Sequence, residues 1–505
     1  MSNVLAPRYR DRRWLRRAGV LTAVLAALLM VAVGGSLLGS QSAVPQAAPS
    51  TVVGRSSTVC TLPGNDTDGS GSPSPSDGSG SGTEGAPSQV SVVAVRGGGA
   101  GEGTLTGSVL PAAAAELSIT QPGSGNQLAD AAGPVLLTGE GAMASTGSGV
   151  VSSSATRGEF TGLMAAPCLA PGTEQWLVGV GSTDADRTEL ILTNPDEGQA
   201  EVDLRFYGPR GRVVVPGSPG VVVAGRSTRT VSVSSLVDTS GPLSVAARAS
   251  SGRVTVAARR VRTADLQPAG ADWQVPSTTP ATTVVIPGVP GDGGSRSLAV
   301  VNPGSHRAQV AVEVLGLSGP FAPAGADTVE VPPESTATVD LEAGLAGDSA
   351  SIRLRSDTPV SGSVVSTSSR SGAAPDVAVQ PATPPLVRRG VSAVATTTGA
   401  TASELVLSNG GDTDAATTFE VLSYAGVSLR KDDILLAAGG TATRRLTSPG
   451  PSYVVVTVPD GSSVVGSVTL TAPEGDVAAL ATVPLTSPDV ASRAPRVEQD
   501  PAVAR

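Results

Sequence analysis

Histidine, lysine and cysteine are almost missing from this 505-residue chain, which has only His306, Lys431, Cys60 and Cys168. Aromatic residues make up 2% and charged residues 15%. Each scarcity removes a kind of chemistry. One histidine leaves no second imidazole for a metal pair, and two distant cysteines form no C-x-x-C knuckle. No G-x-S-x-G elbow presents a serine nucleophile. The one glycine-rich stretch, GGGAGEG (97–103), has no lysine to reach a phosphate and reads as a hairpin loop. His306, in the turn NPGSHRAQ, reads as an exposed polar residue. With so few rings, a core must be assembled from Val, Leu and Ala, at about 25 cal/mol per Å² of buried apolar area. We therefore expect thin cores without aromatic pockets, and a protein that is not an enzyme, with no catalytic, cofactor or metal residues.

What is present starts at the amino terminus. PRYRDRRWLRR carries Arg8, Arg10, Arg12, Arg13, Arg16 and Arg17, and the uncharged run AGVLTAVLAALLMVAVGGSLL (18–38) follows. About 20 apolar residues cross a bilayer as a helix. Flanking arginines keep that end in the cytoplasm. A cleaved signal peptide would have a shorter run and an A-x-A-like site. We read 1–17 as cytoplasmic, 18–38 as a single-pass transmembrane anchor, 39–56 as a linker and the remainder as an extracytoplasmic domain. The chain carries −9 overall, but its first 38 residues hold six arginines and one aspartate, so residues 39–505 carry −14. That acidity speaks against nucleic acid as a partner. Outside the membrane, Cys60 and Cys168 are expected to form a disulfide.

The ectodomain repeats itself. TELILTNPDEGQAEVDLRFYGPRG (188–211), RSLAVVNPGSHRAQVAVEVLGLSG (296–319) and SELVLSNGGDTDAATTFEVLSYAG (403–426) are versions of one hairpin. Asn194, Asn302 and Asn409 stand 108 and 107 residues apart, and Gly211, Gly319 and Gly426 each follow by 17. Alternation such as Ala200-Val202-Leu204-Phe206 and Val310-Val312-Val314 marks strands with one buried face. Each copy holds about seven short strands and no convincing helix, which predicts an all-β chain of tandem immunoglobulin- or fibronectin-like sandwiches. The expected divisions are 57–171 (a degenerate first sandwich with a Gly/Ser-rich insertion, 64–88), 172–276, 277–385, 386–486 and a loose tail, 487–505. Proline- and threonine-rich joints (274–283 and 380–389) suggest beads held in a semi-rigid rod. The turns Asn194-Pro195 and Asn302-Pro303 read as structural, with Asn bonding local backbone and Pro ending the ladder. The recurring glycine reads as a site of positive φ.

Three acidic clusters admit a calcium reading: Asn65/Asp66/Asp68, Asp184/Asp186/Glu189 and Asp412/Asp414. The first lacks the closing bidentate glutamate. The corresponding turn of the second repeat, VPGDGGSR, has a single aspartate, so no repeated metal site is expected.

Four features taken together carry a resemblance: the arginine-rich start with its anchor, a cysteine soon after it (TVCTLP), a second in APC followed by WLVGVG (176–181), and the L-x-L-x-N-P hairpin with Gly-x-x-Gly (208–211). Over roughly residues 8–485 the chain resembles a family of single-pass envelope proteins of high-GC Gram-positive bacteria that is carried as a domain of unknown function. The resemblance implies an actinobacterial envelope setting, near glycan assembly, and supplies no catalytic residues. Asn409-Gly410 departs from the Asn-Pro of the other copies.

The expected function is a non-catalytic, membrane-anchored scaffold or accessory protein of the cell envelope that acts through a protein partner. The alternative is a cell-wall glycan-binding protein or hydrolase, for which Trp176 and Trp273 would be the stacking platforms.

Overall fold

The computed structural model describes residues 50–51, 53–62, 88–97, 101–237, 241–291, 293–341, 344–345, 347–394, 402–472, 475–488 and 492–493. The apolar run 18–38, most of the insertion 64–88, Asn65, Asp66 and Asp68, and nearly all of the tail 487–505 lie outside these. Among the described residues no helix is long and apolar enough to cross a membrane. The one α-helix among them is the four-residue turn Val233–Leu236. Val53–Ala491 form one compact unit.

That unit is all-β and built from four modules, each made of two antiparallel sheets sharing an apolar core. In the second module one sheet runs Glu174–Val180, Leu243–Ser251, Ala200–Gly208, Gly211–Val213. The other runs Ser227–Ser232, Asp186–Asn194, Thr255–Ala264, Gln267–Gln274. With Val221–Val223, which also pairs with Ala200–Gly208, counted as the continuation of the fourth strand, the orders along the chain are first-sixth-third-fourth and fifth-second-seventh-eighth. The other three modules repeat both orders, the third fusing its sixth and seventh strands into the continuous Ala350–Ser368.

The two-sheet architecture is the expected one, with eight strands in these positions rather than about seven. The strand order differs from that of an immunoglobulin domain, where the first strand lies beside the second. Here the first strand pairs with the sixth and the second with the seventh, as in Arg55–Cys60 with Val135–Gly141 and Ser88–Ala94 with Gly147–Ala155.

The modules do not string out as a rod. Their eighth strands, Gly162–Pro167, Gln267–Gln274, Asp376–Pro381 and Leu480–Pro484, meet one another in a closed circuit. The first and fourth modules touch although their chain positions are some 300 residues apart. Tyr453 Oη donates to Gly123 O (2.7 Å), Gly125 N to Tyr424 O (2.9 Å) and Arg96 Nη2 to Gly426 O (3.0 Å). A Cβ on Gly125 would stand 2.6 Å from the Tyr424 ring, so only glycine permits this approach.

The reason for closure is apolar surface on both faces of the second strands. Leu190 and Leu192 fill the core of their own module, while Ile191 between them joins the core of the first. Val90 and Val92 point into the first module, whereas Val93 and Val95 join the core of the fourth. A module standing alone would leave these faces in water, and burying them draws the modules together. The proline-rich joint is likewise laid down rather than stretched: Ser277 N donates to Trp176 O (2.7 Å) and Thr278 N to Ala382 O (2.7 Å).

Candidate functional site

Between the second and third modules lies a cavity of about 250 Å³. Its strands explain its chemistry. Val254, Val256 and Ala258 face the core of the second module, and Arg260 and Arg262 continue that alternation past the core's end. Asp186 lies directly opposite Arg262 in the ladder. Its carboxylate bonds the diagonal neighbour in a fork: Arg260 Nε donates to Oδ1 (2.8 Å) and Nη2 to Oδ2 (2.5 Å). Arg260 Nη1 also donates to Gly179 O (2.7 Å), and the residue is 6% exposed. Bidentate arginine–carboxylate pairing of this kind is strong and directional.

Arg262 is different. Its Nε lies 3.9 Å from Asp186 Oδ2, too far for a hydrogen bond, and its side chain keeps 34% exposure at the cavity. Burial lowers its pKa, against the pull of the Asp186 carboxylate, and Arg260 adds to the lowering. The WLVGVG segment forms the near wall. A Cβ at Gly181 would stand 2.4 Å from the carbonyl and carboxylate oxygens of Asp186, and one at Gly179 (φ +71°) would meet Ala299 of the third module at 2.7 Å. Ser297 and Thr338 of the third module complete the far wall.

A second polar cluster sits where the innermost strands meet. Asp272 and Asp376 are wholly buried. Asp272 Oδ1 accepts from Ala165 N (3.3 Å) and Oδ2 from Val379 N (3.0 Å), tying the second module to the first and third. Asp376 Oδ2 accepts from Leu163 N (2.9 Å) and Leu480 N (3.0 Å), tying the third to the first and fourth. Desolvation pushes the Asp376 carboxyl up to about 8 and Asp272 well above the usual carboxylate range, with the backbone donors opposing both shifts. These side chains cross-link the four modules, and their burial keeps them from any dissolved molecule.

The recurring asparagines act as latches. Asn194, Asn302 and Asn409 are buried. Each Nδ2 donates to the carbonyl four residues on: Gly198, His306 and Thr413, all at 2.7 Å. Each also reaches a carbonyl just ahead of the fifth strand, at Val223, Val331 or Leu436. Each Oδ1 accepts the N–H two residues on, from Asp196, Gly304 and Gly411. Pro195 and Pro303 follow directly and end their strands. Gly211, Gly319 and Gly426 take positive φ (124°, 116° and 76°). In the first module Ala94 takes the asparagine's ladder position, opposite Ser124 as Asn194 is opposite Ser227. Cys60 and Cys168 are bonded, joining the end of the first strand to the residue after the eighth.

Two alternatives that the sequence admitted meet other geometry. The acidic turns face arginine rather than an open calcium site: Asp186 pairs with Arg260, Glu189 with Arg259 and Asp412 with Arg355. Asp414 Oδ1 accepts from Ala438 N instead. Trp176 and Trp273, at 1% and 4% exposure, are packed at module junctions and offer no ring face to a sugar. Neither Arg260 nor Arg262 was among the site residues expected from the sequence. The alternation of arginines at 260 and 262 was the available signal. Asp272, inside the apolar strand segment GADWQV, was another.

No curated protein matches the chain by sequence. Residues 120–447, more than half of its length, match the model of the family of unknown function DUF5719. The chain is therefore a member of that family.

Proposed function

We propose that this protein is a non-catalytic, membrane-tethered extracytoplasmic scaffold of the bacterial cell envelope that works by holding a protein partner against its outer edge. The observation that carries this reading is where the exposed apolar side chains lie. Among the described residues, seven of the nine large exposed hydrophobics, Val214, Val222, Leu317, Phe321, Val427, Leu429 and Leu435, lie on and beside the fourth strands of the second, third and fourth modules. Apolar side chains gathered along unpaired sheet edges mark a surface for association. The anchor is supported by the arginine-flanked run 18–38, and the oxidising compartment by the Cys60–Cys168 bond. The actinobacterial setting follows from the resemblance of the opening segment and the hairpin motifs.

The test is cross-linking in intact cells followed by purification of the full chain. A defined protein is expected to co-purify, and to be lost from the Phe321→Arg and Leu435→Arg variants while their unfolding midpoints stay unchanged. Absence of any partner, together with an unaltered envelope on deletion, would remove the reading.

A further inference from the structure

We propose that the cavity between the second and third modules binds a small hydroxylated oxyanion, a phosphate monoester or carboxylate of monosaccharide size, with Arg262 as its charge partner. Its lining shares no residue with the exposed apolar set on the fourth-strand edges, and the proposal stands whether or not those edges hold a protein.

The charge balance of the cavity points to an anion. Asp186 is the only carboxylate among the described residues that line it, and Arg260 takes both of its oxygens. Arg260 is further engaged by Gly179 O. Arg262 is left as a guanidinium with no hydrogen-bond acceptor among the described residues, so two arginines face one carboxylate and the described lining carries one positive charge in excess. A half-buried guanidinium loses hydration without recovering it, and a bidentate oxyanion restores what was lost. The opposite wall supplies hydroxyls at Ser297 and Thr338 beside the apolar Ala299 and Val365, and Thr183 adds another hydroxyl. Hydroxyls of this kind suit a ligand carrying its own.

Size narrows the class. At about 30 Å³ per water, 250 Å³ holds some eight waters, the room of one sugar ring with its anionic group. The absence of an aromatic side chain from the lining leaves charge and hydrogen bonds to do the recognising. The walls are also fixed in advance. The half-buried Asp186–Arg260 fork and the close approaches at Gly179 and Gly181 fix these walls without a ligand, so little ordering is left for binding to impose.

Titration calorimetry of the full chain tests this with glucuronate and glucose 6-phosphate as charged probes, glucose as the neutral control and inorganic phosphate as competitor. At least one charged sugar is expected to bind with a Kd below about 1 mM, glucose is not, and phosphate is expected to compete. Which charged sugar binds more tightly distinguishes a carboxylate from a phosphate ligand. Arg262→Met keeps the apolar stem and is expected to weaken binding by about tenfold or more. Ser297→Leu fills the cavity with both arginines in place and is expected to weaken binding comparably. Failure of both charged probes to bind, equal binding of glucose, or undiminished affinity in Ser297→Leu would each overturn the proposal.

Discussion

Asn302 shows how much one side chain holds. Its amide bonds His306 O, Val331 O and Gly304 N, joining the turn after the second strand to the segment entering the fifth. Asn302→Ala would leave buried carbonyls unpaired, each costing about 1–3 kcal/mol. A fall in the urea unfolding midpoint, with the native circular dichroism spectrum retained, is the expected result. The axial carboxyls make a prediction about pH. The Asp376 carboxyl rises from 3.8 to about 8, so the folded state holds a proton that the unfolded chain releases. Its contribution is fully present below pH 4 and is lost as pH rises toward 8. Thermal unfolding should therefore show falling stability across that window. Asp376→Asn should flatten the slope, and a double variant with Asp272→Asn should flatten it further, since Asp272 shifts in the same direction. The asparagine latch was legible because it recurs at a fixed interval in three copies. The axial aspartates were not, because Asp272 and Asp376 occupy non-equivalent positions and no repeat comparison brings them together.

At the level of strands, the sequence carried more than alternation. Residues 200–206 alternate, with Glu201 exposed and Asp203 and Arg205 half-buried between buried neighbours. That pattern reports a sheet with one wet face, and it made separate sandwiches the natural reading. The second strands run apolar without a break, as in Leu190-Ile191-Leu192 and Leu298-Ala299-Val300-Val301, and a continuous run reports burial on both faces. That signal, read strictly, opposed a rod. Pairing order was beyond reach, because the same seven or eight apolar runs suit several Greek-key arrangements. The seam between the first and fourth modules is the element most open to challenge. Gly125→Val would drive a side chain into the Tyr424 ring. It is expected to lower the unfolding midpoint and to raise hydrogen exchange at Gly123–Gly125 and Tyr424, leaving exchange in the second-third junction unchanged. Tyr453→Phe, which loses only the hydrogen bond to Gly123, should cost about 0.5–1.5 kcal/mol.

For the compact unit as a whole, closure and a rod predict different sizes. A globular body of residues 53–491 has a radius of gyration of about 22 Å, whereas modules in file would scatter as a much longer particle. Small-angle scattering of that segment separates the two. The Cys60–Cys168 bond spans 108 residues. Cys168→Ser is expected to lower stability by up to about 4–5 kcal/mol in the chain-entropy view, and by less to the extent that contacts with the second and fourth modules already restrain the first.

Val53, where this body begins, and Pro488, near its end, line the same hollow beside Leu169. Adjoining ends make the starting point of the sequence arbitrary as far as the circle is concerned. A circular permutant that joins 488 to 53 by a short linker, and opens instead at the exposed Thr279, should assemble the same body. Its covalent and non-covalent seams would trade places, so the strength of the natural seam becomes a quantity that can be weighed directly.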